Sequence, residues 1–496
     1  MKTESRTFRR FRSALPGDGT EDAGSVALRR SDDSAVATGN SFHPAREKDR
    51  LGERSPPPGI PPPVASGGPF PGRLNLFQRA MLDWRDQHPY SAVHAVRIAR
   101  PLDEASLTRA IAAELVDLGL TGLELDRVHG RYAWRGGPAH PVLDTLAPGA
   151  DWQATLAQAF ERQLNVGFPR DGRLDPFRFF AMPVEAGFFL GLGYDHFIAG
   201  GDSIVALLNA IADRYAGRRE RAAPLQRYPR THARLFLRHP WRVLRALARM
   251  PGLAASCRRT VRPRYRSIED GHNGFTFFML DPAEFRALRD AAKNWGVTLN
   301  DALMALLLLA LDAVLPTRDT ATRRRELAVA SIINLCGEHR EDPRRTFGQF
   351  LSSFRVSHPV PRGVTLRELA LDVHYATARI KRERLYLATL VAMAGNRIIG
   401  RFQGPKLRMG IYAKSYPVGA GVSSLNVNAL WQAADGSDPP LYIRGVPTGP
   451  TSPLVVAVTT SGDTLCAGVS YRTAAFVADA IDAIRADIRD RIRALA

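Results

Sequence analysis

One histidine, His196, stands where the sequence changes from a strand pattern to a helix pattern. It follows the apolar run GFFLGLGYD and precedes Gly200 and Gly201, after which a helical pattern begins. An imidazole with its ordinary pKa of about 6.5 is mostly neutral near pH 7, so it can accept a proton from an attacking hydroxyl or amine. A histidine at the end of a strand is also commonly a structural residue. The residue types alone therefore leave both general-base catalysis and a structural role open.

Other polar residues could support such a histidine. Asp195 and Asp202 are carboxylates that could orient the loop or the imidazole, and Ser203 follows them. Hydrogen-bond donors for a developing negative charge are offered by a set of amides and hydroxyls in the second half of the chain: Asn300, Ser423, Ser424, Asn426 and Asn428. Ser424 and Asn426 are the better candidates by position.

Two of the expected roles concern the backbone. For Asn300, capping of a helix that begins at Asp301 is favoured over direct catalysis. Gly200 and Gly201 are expected to let the chain turn tightly beside the site, because glycine accepts conformations that other residues avoid.

Hydrophobic periodicity predicts the elements that position these residues. In the first half it indicates a helix from Leu74, a strand over 91–99, a hairpin over 177–197 that turns at 185–187, and a helix ending at Gly217. The second half repeats the pattern with a strand over 275–281, two helices, further strands and a C-terminal amphipathic helix. The sequence therefore predicts an α/β protein with two similar lobes.

The segment GLGYDHFIAGGDSIVALL resembles the His-His-x-x-x-Asp-Gly motif of the chloramphenicol acetyltransferase-like (CAT-like) superfamily. That superfamily includes nonribosomal peptide condensation domains, wax ester synthases and polyketide-associated acyltransferases. His196 matches the second histidine and Gly201 the glycine, whereas Asp195 and Gly200 stand at the positions of the first histidine and the aspartate. Four further segments are similar in order and spacing: LNLFQRAMLDW, VTLNDALMALLLLAL, RTFGQFLSSFRV and VSSLNVNALW.

This resemblance implies two CAT-like lobes that form a pseudo-dimer around a central tunnel. An acyl thioester would enter from one side and an acceptor from the other, with His196 as the catalytic residue. The thioester would be carried by coenzyme A or by the phosphopantetheine of a carrier protein, and no metal or redox cofactor would be needed. The motif's aspartate generally pairs with an arginine in the family, which Gly200 cannot do, so Asp195 or Asp202 is expected to compensate.

The domain prediction has four parts. Residues 1–70 are rich in Pro, Ser, Gly and Arg and are expected to be disordered, because such a segment buries too little apolar surface to offset its ordering entropy. Residues 71–217 form the N-terminal lobe, 218–272 an Arg-rich linker and 273–496 the C-terminal lobe. The 496-residue chain is long enough for domains that each bury a core.

The linker holds most of the chain's net charge of +19, with fifteen Arg and one acidic residue between Arg218 and Arg266. Six of these arginines are spaced to line one face of a helix, which Pro240 should interrupt near His239: Arg230, Arg234, Arg238, Arg242, Arg245 and Arg249. Three interpretations stay open: a solvated face, a docking surface for an acyl carrier protein or coenzyme A, and contact with anionic lipid. The four central arginines, Arg234, Arg238, Arg242 and Arg245, are the predicted partner-binding residues.

Composition excludes several other classes. Three cysteines without C-x-x-C spacing exclude a zinc ribbon and a disulfide framework, and no apolar run approaches the length of a membrane-spanning helix. A cytoplasmic location, with peripheral membrane contact as an option, is expected, and no nucleic-acid recognition module is found. The leading hypothesis is an acyltransferase that forms an ester or amide, in secondary-metabolite or lipid biosynthesis. The alternative is a catalytically degenerate CAT-fold protein that recruits a carrier protein or a lipid surface.

Overall fold

The computed structural model describes residues 72–496, apart from 148, 219–224, 226–231, 316–322, 340–345, 401–414, 433–435, 437 and 450. The predicted tail over 1–70 lies outside the described residues. The strands are β1 (Gly72–Arg73), β2 (Ser91–Ile98), β3 (Leu123–Asp126), β4 (Arg131–Trp134), β5 (Leu143–Thr145), β6 (Gly172–Leu174), β7 (Phe177–Val184), β8 (Gly187–Asp195), β9 (Asn273–Leu280), β10 (Leu327–Asn334), β11 (Leu351–His358), β12 (Ala420–Asn426), β13 (Tyr442–Gly445), β14 (Leu454–Ser461) and β15 (Thr464–Arg472).

The helices alternate with these strands, which confirms the predicted α/β class. They are α1 (Leu76–Arg85), α2 (Glu104–Asp117), α3 (Trp152–Asn165), α4 (Gly201–Tyr215), α5 (Ala233–Arg238), α6 (Pro240–Ala248), α7 (Met250–Arg259), α8 (Pro282–Asn294), α9 (Leu299–Val314), α10 (Cys336–His339), α11 (Leu366–Arg382), α12 (Tyr386–Gly400) and α13 (Ala478–Arg493). The restart of the helix at Pro240 also agrees with the sequence.

A five-stranded sheet carries the histidine segment. Its strand order is β13-β2-β8-β7-β5, and β7 and β8 form the predicted hairpin, with Val184 paired to Gly187 at the turn. The last residue of β8 is Asp195, so His196 follows directly at the end of a central strand. Because β8 is buried along nearly its whole length, this end of the sheet is firmly placed.

A six-stranded sheet, in the order β11-β10-β12-β14-β15-β9, forms the second half. The helix α9 packs beside it and is buried on almost every side, from Asp301 to Leu311. Thr298 caps this helix in a capping box with Asp301. The expectation that Asn300 caps a helix beginning at Asp301 is therefore wrong, because the helix begins earlier, at Leu299.

Strand β13 crosses from the second half of the sequence into the first sheet. It pairs antiparallel with β2, and this register sets Arg444 opposite His94. The crossing brings a residue from near the end of the chain next to the end of β8. The proposed lobe boundaries at 217, 272 and 273 stay predictions.

No single described helix is long and apolar enough to cross a membrane. The pair α8 and α9 would pass that test together by length and composition only, with a bend of 106° between them. Since α9 is buried in the protein, its apolar character is explained by core packing.

Candidate functional site

A cavity of about 200 Å³ lies where the two sheets meet at the end of β8. The first half lines it with His94, Tyr194 and His196, and the second half lines it with residues that include Asn334 and Arg444. Both halves of the chain thus contribute side chains to one enclosed space.

His196 is held mainly through its backbone. Its amide donates to the Tyr90 carbonyl at 3.3 Å, and its carbonyl accepts a 2.8 Å hydrogen bond from the Gln349 side chain. The imidazole lies between the rings of Tyr90 and Tyr194, with centroid distances of 5.7 and 5.8 Å. Its Nδ1 is buried without a hydrogen-bond partner among the described residues. The ring is thus fixed by packing, and its nitrogens are not engaged by a carboxylate.

Burial lowers the pKa of His196 to about 4. The positive charge of Arg444 acts in the same direction, and the Ala199 backbone works against both. The imidazole is consequently neutral at physiological pH, as a proton acceptor must be.

This lowered pKa predicts a particular pH profile for any reaction that uses His196 as a base. We expect the His196 imidazole to stay neutral from about pH 8 down to about pH 5, so that its own protonation lowers kcat/KM only as the pH approaches 4. A separate fall near pH 6 would come from Asp195, which loses its charge there and with it the ion pair to Arg85. The measurement is kcat/KM across this range, with tryptophan fluorescence verifying that the protein stays folded. An acidic limb centred near pH 6.5 that remains when Asp195 is removed, as in Arg85→Met combined with Asp195→Leu, would contradict it.

Asp195 does not contact the imidazole but forms a buried ion pair with Arg85 of α1. The two side chains are 1% and 3% exposed, and Arg85 also donates to the Arg170 carbonyl at 2.6 Å. Burial raises the pKa of Asp195 to about 6, while Arg85 opposes that rise. This ion pair ties α1 to the residue before His196, which is the loop-holding role expected of either Asp195 or Asp202.

Gly200 and Gly201 lie in the first turn of α4 without the special backbone expected of them. Gly200 has φ −81°, which any residue can adopt. Close approach explains the glycines instead, because a Cβ would come within 3.2 Å of Gln349 Oε1 at Gly200 and 3.3 Å of Arg444 Nη1 at Gly201. Neither glycine has a positive φ, so the turn at 196–198 does not depend on a conformation reserved for glycine.

Ser203 and Asp202 bind segments of the second half. The Ser203 hydroxyl accepts a hydrogen bond from the Gly348 amide at 3.2 Å, and Asp202 accepts one from the Asn334 side chain. Burial raises the pKa of Asp202, whereas Arg444 and Asn334 lower it. Both residues line the cavity, and both hold α4 against the second half.

The five predicted donors of the second half lie in different places. Ser424 lines the cavity and donates its hydroxyl hydrogen to Asn300 Oδ1 at 3.0 Å. Asn300 is outside the lining, and Asn426 caps a short 3₁₀ turn by accepting from the Asn428 amide at 3.1 Å. Of the five, Ser423 and Ser424 therefore border the cavity, and Asn300, Asn426 and Asn428 do not.

Sequence reasoning missed a buried group beside His196. His94 Nδ1 lies 2.8 Å from the Tyr442 hydroxyl, and His94 Nε2 lies 3.4 Å from the Tyr194 hydroxyl. Arg444 follows Tyr442 by two residues. His94, Tyr194 and Arg444 line the cavity, and Tyr442 contacts His94. The signal available in the sequence was an arginine within the short apolar run LYIRGV, which is unusual for a buried strand.

No family model matches the chain, and neither does any curated protein. Solved structures do match. The first condensation domain of the CDA synthetase has 18% identity and a TM-score of 0.60, over 87% of this chain and 97% of that one. The protein SgcC5 from Streptomyces globisporus has 17% identity and a TM-score of 0.56, over 85% and 98%.

The epimerization domain from the third module of tyrocidine synthetase B matches with 12% identity and a TM-score of 0.56, over 86% of this chain and 96% of that one. The chain has the condensation-domain fold. This agrees with the resemblance drawn from the motif. At such low identity the likeness establishes the architecture, and an epimerization domain among the matches shows that the condensation-domain fold does not by itself fix one reaction.

In this condensation-domain fold, α5 and α6 carry an exposed apolar and basic surface. Leu237, Trp241 and Leu244 are 79%, 80% and 54% exposed, while Leu235 is buried. Arg238 and Arg245 are exposed beside them and make no hydrogen bond or ion pair with a described residue. We call Leu237, Arg238, Trp241, Leu244 and Arg245 the α5–α6 surface. The structure places Arg234 and Arg242 on the same two helices.

Proposed function

We propose that the chain is an acyltransferase that moves an acyl group from a thioester to a hydroxyl or amine. The observation that carries this proposal is a neutral, buried histidine at the end of β8, lining a cavity that both halves of a condensation-domain fold enclose. A general base in such a place can accept the proton of an acceptor that binds in the cavity.

The reaction would proceed by attack of the acceptor oxygen or nitrogen on the thioester carbonyl carbon. His196 accepts the acceptor's proton as the new bond forms, the carbon–sulfur bond breaks, and the thiolate leaves with the proton returned from the imidazolium. The charge on the intermediate requires donors, and Ser423 and Ser424 are the predicted donors that border the cavity. Asp195 acts through Arg85 as a positioning residue and does not touch the substrate.

The test is release of free thiol from a panel of acyl thioesters mixed with pooled hydroxyl and amine acceptors. Acyl-coenzyme A and acyl-carrier-protein donors are compared at equal concentration. The proposal predicts release that depends on the acceptor. If none of the donors is consumed while an acyl carrier protein still binds the chain, the result favours a binding protein without catalysis.

We further infer that the donor arrives on an acidic carrier protein at the α5–α6 surface. The sequence from 221 to 266 contains no Asp or Glu, and Arg238 and Arg245 are exposed on the α5–α6 surface, so this surface is complementary to an acidic partner. Exposed Trp241 and the two leucines would supply the apolar centre that protein interfaces need within a charged rim.

Charge reversal tests this surface. Replacing Arg234, Arg238, Arg242 and Arg245 by Glu should weaken carrier-protein binding about tenfold or more and flatten its dependence on salt, because complementary charge becomes repulsion. The matched control reverses four exposed arginines elsewhere: Arg100, Arg173, Arg286 and Arg367.

Affinity for a carrier protein is measured by fluorescence anisotropy at several salt concentrations. If the two quadruple variants weaken carrier-protein binding equally, the affinity depends on net charge alone and not on the α5–α6 surface. Unchanged carrier affinity, together with loss of binding to anionic vesicles in the first variant, would assign the α5–α6 surface to lipid instead.

A further inference from the structure

Arg444 is a buried cation in the wall of the cavity, with a side chain that is only partly satisfied. Arg444 is 3% exposed. The Nε donates to Thr459 Oγ1 at 2.9 Å, and Nη2 donates to the carbonyls of Ser423 and Val458 at 2.6 and 2.7 Å. These bonds fix the guanidinium by joining β13 to β12 and β14. The remaining nitrogen, Nη1, makes no hydrogen bond or ion pair with a described residue.

Nη1 points toward the first turn of α4. It lies 3.3 Å from the position that a Cβ on Gly201 would occupy, and Gly201 and Arg444 both line the cavity. The N-cap residue of α4 is Gly200, which provides no side-chain cap for the first-turn amides. A helix start and an unpartnered guanidinium nitrogen therefore converge on one point of the cavity wall, and both favour an anion.

The acid nearest to this point does not satisfy Arg444. Asp202 interacts with Arg444 through its charge but forms no ion pair with it, and its carboxylate accepts from the Asn334 side chain. A buried charged donor without a partner is costly, so a ligand that supplies an acceptor there gains more than it would in water.

We propose that the cavity binds a substrate carboxylate, which accepts a hydrogen bond from Arg444 Nη1 beside the first turn of α4. The carboxylate site deepens the proposed function and rests on it in one respect only, namely that the ligand is called a substrate. The rest of the wall near His196 is aromatic, with Phe77, Trp84 and Tyr90, so the carboxylate would sit at one end of an otherwise apolar molecule.

Matched acids and amides test the proposal, because they differ in charge and hardly in shape. The probes are phenylacetate with phenylacetamide and hexanoate with hexanamide, with binding to the full chain measured by titration calorimetry. We expect each acid to bind about tenfold or more tightly than its amide, since a hydrogen bond to a charged partner contributes more than a neutral one. Equal binding within both pairs, or no binding of either acid at millimolar concentration, would overturn the proposal.

Variants locate the effect. Arg444→Met should abolish the preference for the acid, and Asp202→Asn should increase it by removing a repelling charge. Arg472→Met is the matched control, because Arg472 is also buried and hydrogen-bonded but does not line the cavity. A preference that survives in Arg444→Met would overturn the proposal. Should that variant not fold, a preference that fails to increase in Asp202→Asn would overturn it instead.

Failure of this inference can be distinguished from failure of the proposed function. In His196→Ala the acid preference should persist even though turnover is lost. An acid preference without any acyl transfer would leave the carboxylate site standing and reject the acyltransferase. Acyl transfer without an acid preference would reject the carboxylate site and leave the acyltransferase standing.

Discussion

His196→Ala is expected to lower kcat/KM for acyl transfer by about 10²- to 10⁴-fold, the usual contribution of a positioned general base. The loss should come from the chemistry and not from the fold, because the imidazole Nδ1 has no partner among the described residues. The bonds that hold this segment use the His196 backbone, and those remain in the variant.

The control for this variant is His88→Ala. His88 is also buried, and burial and the charge of Arg472 lower its pKa to about 3, but its side chain does not line the cavity. We expect its kcat/KM to stay within a few-fold of the unmodified protein. Equal losses in the two variants, or full activity in His196→Ala, would reject His196 as the base.

Arg85→Met is expected to lower the free energy of unfolding by about 3–5 kcal/mol, because it leaves the buried Asp195 carboxylate without its partner. Arg85 also stacks over the Phe197 ring at 5.5 Å, so its loss disturbs both neighbours of His196. The kcat/KM for acyl transfer should also fall, because the ion pair between Asp195 and Arg85 no longer holds the segment that carries His196. Chemical denaturation monitored by tryptophan fluorescence gives the free energy.

A double variant separates the charge from the packing. Arg85→Met combined with Asp195→Leu removes both charges, so it should be less destabilised than Arg85→Met alone. If Arg85→Met alone lowers the free energy of unfolding by less than about 1 kcal/mol, the ion pair contributes little to stability.

The hairpin and the long buried helix could be predicted from the sequence because their patterns are local. The alternation of FRFFAMPV and GFFLGLGYD around a short turn specifies β7 and β8, and the apolar run after Thr298 specifies α9. β13 has four residues, too few for a periodic pattern, and its place beside β2 depends on pairing across more than 340 residues of sequence. No local pattern reveals such a pairing.

The same reason explains which site residues the sequence could indicate. His196 lies at a strand end that its own neighbours define, whereas Arg444 reaches the cavity only through β13. Asn300 is expected from the sequence to cap a helix that begins at Asp301, but Thr298 and Asp301 make the reciprocal bonds that define the helix start. The Asp195–Arg85 pair joins residues 110 positions apart, so the sequence left open which of Asp195 and Asp202 compensates for Gly200 and could not name the partner.

Mass spectrometry of an acyl-loaded carrier protein, after incubation with an acceptor and the chain, tests acyl transfer by His196 directly. We expect the carrier to lose the acyl mass and the acceptor to gain the same mass, and we expect neither change with His196→Ala. Loss of the acyl group from the carrier without any gain by an acceptor would indicate hydrolysis. Transfer that proceeds equally with His196→Ala would show that His196 is not the base.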